Sequence, residues 1–299
     1  MPNTLAHLGV QSIATRTLIR DSDLKWIFFG CIIPDIPWII QRIIHIVLPG
    51  VDAYELRLYA VVQASFFFCL LLSMAIARLS NRHWKTFVIL GFGSLLHLFL
   101  DALETKWGNG VHFFAPLDWR MTNFNFFWPE SFPTYLITAF GLVYFAICWK
   151  HGLMIPYNLT IRSARHIAVT FIILCVYLLF PIFFLEGPES ANNHFVKTLR
   201  AQHDRPGRYI EIDRGNFNYR ASGSVLHTFA GEELKVKGVE IQRSTVVSVR
   251  ATFNAENEIF VHEYHVHSPS IRDSASYLGL TLIAMLWIVA YIRQFMLEK

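Results

Sequence analysis

Residues 86–120 read TFVILGFGSLLHLFLDALETKWGNGVHFFAPLDWR. From Thr86 to Leu100 there is no carboxylate, lysine or arginine. An apolar run of this kind approaches the roughly 20 residues that a helix needs to cross a hydrocarbon core. Yet the run ends with His97 and Asp101, which share one helical face at a spacing of four. Ionisable groups inside a span are expensive, and they face the bundle interior or a functional site.

The rest of the chain follows the same pattern. It has 299 residues, 54% of them hydrophobic and 16% charged, with 26 phenylalanines. So little charge at this length indicates a membrane protein. Apolar segments at 25–48, 58–78, 86–103, 132–149, 166–186 and 274–294 predict about six spanning helices. Basic residues fall at alternate ends: Arg16, Arg20 and Lys25; Arg78, Arg82 and Lys85; Lys150, Arg162 and Arg165; Arg293 and Lys299. By the positive-inside bias both termini face the cytoplasm, and 49–57, 104–131 and 187–273 face outward. This is the layout of a multi-pass protein of a bacterial-type inner (plasma) membrane. The start lacks a basic n-region and a small-residue cleavage site, so no removable signal peptide is expected. Cys31, Cys69, Cys148 and Cys175 all fall in apolar segments, which implies no disulfide framework.

Asn3 or Thr4 can cap a first helix running to about Arg20. It either dips into the bundle or lies amphipathically on the inner surface. From about 205 to 268 the texture changes to short segments rich in Val, Ile and aromatic residues, among them RYIEID, STVVSVRATF and EIFVHEYHVH. They predict a five- to six-stranded barrel of OB type. The fold class expected is therefore an α-helical membrane bundle with an inserted extracytoplasmic all-β domain. Its domains are 1–186 (bundle), 187–273 (β-domain) and 274–299 (last span and tail). Acidic and basic residues balance in 187–273 with no single-sign stripe, which argues against nucleic-acid binding. The β-domain's partner is not legible.

Rise per residue places polar side chains from four segments at one level. Asp35 lies about 15 Å above Lys25, His97 about 18 Å above Lys85, Gln63 about 22 Å above Arg78 and His7 about 19 Å above Arg20. Pro34 and Pro37 flank Asp35 and loosen its helix. Imidazole and carboxylate together suit Zn²⁺ or a similar divalent ion, whereas an intramembrane His–Asp hydrogen bond would only hold helices together.

The blocks LAHLGVQS (5–12), GCIIPDIPW (30–38) and GSLLHLFLDALETKWGNGVHFFAPLDWR (93–120) resemble the signature of the YdjM-like inner-membrane metal-dependent hydrolases. The pattern is also similar to zinc-dependent phospholipase C. The resemblance covers about residues 1–120 and implies His7, Asp35, His97 and Asp101 as metal ligands. Many members carry a histidine element on the second helix. Here residues 55–65 read ELRLYAVVQAS, and Gln63 stands in that stretch.

His112 in the following loop is a further candidate ligand. Glu104, one turn from Asp101, is a candidate general base toward a metal-bound water, with Gln63 beside it as a catalytic candidate. Glu104 and Lys106 otherwise read as solvated loop charges. Asp118 lies near enough to His97 to complete a site or bind substrate, Arg120 could clamp a phosphate but reads rather as part of a rim salt bridge, and Trp107, Trp119 and Trp128 read as interfacial anchors. In VHEYHVH, Glu263, His265 and His267 share one strand face, a spacing that could bind a metal, although an exposed strand bearing histidines is the expectation. Asn158-Leu-Thr has the form of a glycosylation acceptor but falls on the cytoplasmic side.

The functional expectation is a membrane-embedded metal-dependent hydrolase acting on a lipid-like or phosphoester substrate. The alternative is a non-catalytic scaffold whose β-domain binds an envelope partner. A transporter coupled through Asp35 and Asp101 ranks last, because no inverted repeat is visible.

Overall fold

The computed structural model describes residues 3–154, 163–220, 223–268 and 271–297; Asn158 lies outside them. Its helices are α1 (Thr4–Leu18), α2 (Leu24–Gly30), α3 (Ile36–Val47), α4 (Ala53–Gln63), α5 (Phe66–Ala77), α6 (His83–Leu103), α7 (Phe132–Met154), α8 (Ala164–Leu179), α9 (Glu186–Ser190), α10 (Val196–Arg200) and α11 (Ile271–Leu297). Among the described residues, five helical segments are long and apolar enough to cross a membrane, or six if the bent pair α4 and α5 counts as one. Large apolar side chains on α7, α8 and α11, such as Ile147, Phe171 and Ile288, remain exposed. Such faces suit hydrocarbon rather than water.

α1 starts at Asn3, whose side-chain oxygen accepts the Ala6 N–H at 3.1 Å. That contact satisfies one of the free amides at the helix start. The helix is buried around most of its circumference, with Leu5, His7, Leu8, Gln11, Ser12 and Thr15 all inside. It therefore occupies the bundle interior and is not a surface helix. It crosses α7 at Gly9 and Gly141, where a Cβ on Gly141 would overlap the Leu5 carbonyl. Small residues permit this close approach.

Two spans are broken, each for a local reason. Between α2 and α3 a 3₁₀ turn covers Ile33–Asp35. Pro34 has no N–H, and the Asp35 N–H bonds to Ile32. The Cys31 carbonyl, which would bond to residue 35 in a regular helix, is thereby released. The single span expected at 58–78 is instead α4 and α5, bent by 70°. The Ser65 hydroxyl donates to the Val62 carbonyl at 2.7 Å, and the Phe66 N–H is taken by the His112 carbonyl at 3.1 Å. A loop carbonyl thus satisfies the start of α5. Hydropathy cannot register that contact.

Residues 187–204 form short helical turns, and the strands begin only at Tyr209. The strands are β1 (Tyr209–Asn218), β2 (Val225–His227), β3 (Glu233–Lys237), β4 (Thr245–Ala255) and β5 (Glu258–Val266). They close a barrel in the order β1-β2-β3-β5-β4, with β3 and β5 parallel and the other pairs antiparallel. Alternating side chains, including Ile210, Phe217, Val247, Val249 and Ile259, fill its interior. Tyr54 of α4 and Leu199 of α10 pack against that core and join the barrel to the bundle.

The loop after α6 docks onto β1. Gly108 (φ +68°) donates its N–H to Glu211 Oε2 at 2.5 Å, and a Cβ there would lie 2.6 Å from the Glu211 carbonyl oxygen. Only glycine suits both that conformation and that approach.

Arg205 is fully buried at the end of the barrel. It pairs with Glu232 at 2.5 and 2.7 Å, donates to the Glu256 carbonyl at 2.9 Å and also bonds to the Leu199 carbonyl. Removing one partner of such a pair strands the other. Arg205→Ala is expected to destabilise the barrel by about 3 kcal/mol. Urea unfolding followed by β-sheet circular dichroism checks this, and an unchanged midpoint would contradict it.

Candidate metal centre

The site is assembled from α1, the 3₁₀ turn and the end of α6. His7 and His97 stack in parallel, with centroids 3.9 Å apart and planes 2° apart. Asp101 presents one oxygen to each ring: Oδ1 lies 3.5 Å from His7 Nε2, and Oδ2 lies 3.7 Å from His97 Nε2. Asp35 Oδ1 lies 3.5 Å from His97 Nε2. Candidate ligand atoms of His7, His97 and Asp101 all fall within 4.8 Å of one another. Asp35 belongs to the edge of the group, through His97.

The hydrogen bonds around this group fix which ring nitrogens carry protons. A carbonyl can only accept, so the 2.6 Å contact between His97 Nδ1 and the Cys31 oxygen puts the proton on Nδ1. His97 Nε2 then turns an unprotonated nitrogen toward two carboxylates. Gln11 Nε2 donates to His7 Nδ1 at 3.1 Å, which orients the second ring and puts its proton on Nε2, facing Asp101. His7 Nε2, His97 Nε2, Asp35 Oδ1 and Asp101 Oδ1 are buried atoms without a hydrogen-bond partner.

These residues fit a divalent metal. Nitrogen and oxygen donors at about 2.1 Å in a tetrahedron are about 3.4 Å apart, close to the separations seen here. The Cys31 carbonyl behind His97 is the usual outer support of such a ligand, and Gln11 would match it with its amide turned to set Oε1, a buried atom without a partner, against His7 Nδ1. Three mutually close protein ligands with a fourth carboxylate at the edge resemble an open site rather than a closed structural one.

Glu104 and Lys106 are buried, contrary to their reading as solvated charges. Lys106 Nζ lies 3.4 Å from Asp101 Oδ2 and 4.0 Å from Glu104 Oε2. Burial alone would lower the Lys106 pKa, but the two carboxylates outweigh it and hold the ammonium above its ordinary value. Glu104 thus meets Lys106 and is not among the mutually close ligand atoms of the His–Asp group. Gln63 does not join the group either: its amide nitrogen donates to Tyr59 Oη at 3.1 Å and the Tyr177 carbonyl at 3.3 Å, tying α4 to α8. His112 is also outside it. Asn193 Nδ2 donates to the Trp119 carbonyl and faces His112 Nε2 at 2.7 Å, so that nitrogen is an acceptor already in use.

Asp101, Lys106 and His112 line a cavity of about 600 Å³ between the bundle and the barrel. Its wall includes Arg57 and His194, which sequence reasoning did not single out. Arg57 lies 5.4 Å from the Trp38 ring and 4.4 Å from the Phe229 ring. His194 sits in a left-handed run with Asn192 and Phe195, at φ of 52°, 55° and 56° respectively. Non-glycine residues adopt this region at a cost and concentrate where function requires it. The available signal was ANNHF, polar residues placed where a span gives way to the barrel.

Two other expectations change. Trp107 and Trp128 are not free anchors: they pack edge to face at 5.0 Å, and Trp128 stacks on His265 at 3.8 Å. Glu263 pairs with Arg250 at 3.0 Å, while His267 is buried and meets Glu130 instead. Arg120 does form a rim salt bridge, and its partner at 2.6 Å is Asp118, which sequence reasoning had offered to the site.

Comparison with family models, curated proteins and solved structures returned no match.

Burial lowers the His112 pKa from 6.5 to about 4. Between those values the unfolded chain takes up a proton that the folded site refuses, so stability is lost as pH falls through this window. The loss attributable to His112 is about 3 kcal/mol. His112→Gln keeps an acceptor for Asn193 and is expected to remove that part of the acid sensitivity. Denaturant titrations between pH 7 and 4 in detergent check this, and identical slopes for both proteins would refute it.

Proposed function

We propose that this protein is an integral-membrane metal-dependent hydrolase of the YdjM-like kind, acting on a lipid-like or phosphoester substrate. The reading rests on one observation: His7, His97 and Asp101, from two helices, converge buried and mutually close, with Asp35 at the edge. The atoms they turn toward one another, His7 Nε2, His97 Nε2 and Asp101 Oδ1, are buried without hydrogen-bond partners, an arrangement suited to a shared cation beside the Lys106 ammonium. When bound, a divalent ion such as zinc supplies a Lewis acid and lowers the pKa of a coordinated water.

The chain's own residues prepare and feed that site. The Cys31 carbonyl and Gln11 lock the two imidazoles. Lys106 reaches from the cavity wall to Asp101 and can neutralise an anionic oxygen brought beside it. Arg57, set between Trp38 and Phe229, offers a second cation for an anionic head group. Along α3, Trp38, Arg42, His45 and Ile46 line the cavity while Ile40, Ile43 and Val47 are exposed outside it. A wall polar inside and apolar outside suits an amphiphile. The alternation of basic segment ends supports a bacterial-type inner membrane with both termini cytoplasmic and the barrel outside.

Purified protein should carry a divalent metal and hydrolyse a chromogenic phosphodiester or a short-chain phospholipid in mixed micelles. Chelation should abolish turnover and zinc should restore it. Combined His97→Ala and Asp101→Ala should lose the metal equivalent held at this site, and activity with it. Gln11→Leu should weaken either by about 10- to 100-fold, the usual effect of removing a group behind a ligand. Unchanged metal content in the double variant would sink the site and leave the scaffold reading.

A further inference from the structure

A second group of ligand-type side chains lies in the seam between the barrel and the loop preceding α7. Glu130, His265 and His267 offer atoms that all fall within 4.8 Å of one another. Sequence alternation already puts both histidines on one face at the end of β5. Glu130 comes from far away in the chain and was not legible as their partner.

The hydrogen bonds establish which atoms are in excess. Asp213 can only accept, so the Ser248 hydroxyl gives its proton to Asp213 Oδ1 at 2.9 Å. Ser248 Oγ then accepts from His267 Nε2 at 2.8 Å, which places a proton on that nitrogen. His267 Nδ1 faces Glu130 Oε1 at 2.9 Å. On the other side, His265 Nε2 lies 3.6 Å from Glu130 Oε2. That separation is too long for a hydrogen bond, and both atoms are buried without a partner. One carboxylate thus faces an imidazole nitrogen at each of its two oxygens.

The surroundings hold this arrangement in place. Trp128 stacks on the His265 ring with planes 3° apart. A bulge in β1 between Ile212 and Gly215 puts Arg214 at φ 54°. From there its guanidinium reaches Glu130 Oε1 at 3.0 Å and His267 Nδ1 at 3.2 Å. Bulges commonly re-aim a side chain in this way.

We infer that Glu130, His265 and His267 form a second divalent-metal site, of the zinc class, that clips the barrel to the loop leading into α7. A single ion would use the two orphaned atoms, Glu130 Oε2 and His265 Nε2, together with His267 Nδ1, taking the place of the Arg214 contact to that nitrogen while Arg214 keeps Glu130 Oε1. Ser248 is the outer support of His267, and Asp213 lies behind it. A proton alone could bridge Oε1 and Nδ1 but would leave the His265 side unfilled. This site stands apart from the His7–His97–Asp101 group and does not depend on it.

Metal analysis of detergent-purified protein, prepared without a histidine tag, tests the inference. Wild type should hold two equivalents of zinc. Combined Glu130→Gln and His265→Gln should lose one and keep the equivalent that His97→Ala with Asp101→Ala removes. A folded Glu130/His265 variant with wild-type zinc content overturns the proposal. A readout on the wild-type chain covers the case of misfolding. After chelation, diethylpyrocarbonate should modify His265, and added zinc should protect it while leaving the exposed His203 reactive. Equal modification of His265 with and without saturating zinc also overturns the proposal.

Discussion

The contact between the His97 ring and the Cys31 carbonyl is the constraint on which the site depends. An imidazole buried in an apolar bundle must satisfy both nitrogens, and a backbone carbonyl is available only where a helix is interrupted. Pro34 and the 3₁₀ turn provide that interruption. One proline therefore opens α2, frees the Cys31 oxygen, fixes the proton on His97 Nδ1 and leaves Nε2 facing Asp35 and Asp101. The burial of α1 follows the same logic. His7 is tolerated inside because it meets His97, Gln11 and Asp101 there.

The barrel and the bundle are coupled through the loop after α6. Gly108 and Asn109 bond to Glu211 and Asp213 on β1, while His112 supplies the carbonyl that starts α5. The same loop carries Lys106 to Asp101 and Trp128 to His265. The cavity is therefore bounded by parts of the chain that fold against each other only when the barrel is docked. Any opening of that seam changes access to Asp101 and Lys106.

Much of this was legible in the chain. His97 and Asp101 share a face because of helical spacing, and helical rise put His7 and Asp35 at their level. Segment lengths located the spans, and alternation located the barrel. Lys106 and Glu104 were misread because local sequence makes a charged loop look solvated. Here the loop is covered, and charges under cover persist only by pairing. Gln63 reached the expected depth but turned toward α8, since depth along a helix axis does not set the direction of a side chain.

Composition and periodicity by themselves determined the apolar helices, a β-module of five to six strands and the histidine and carboxylate types of the site. These properties depend on spacing within one segment, which the residue order contains. Tertiary structure alone decided that α4 and α5 are bent at Ser65, that Asp35 is peripheral and that Glu130 joins His265 and His267. Each of these turns on which distant backbone or side-chain atom satisfies a buried polar group, and such pairings exist only once the segments have packed.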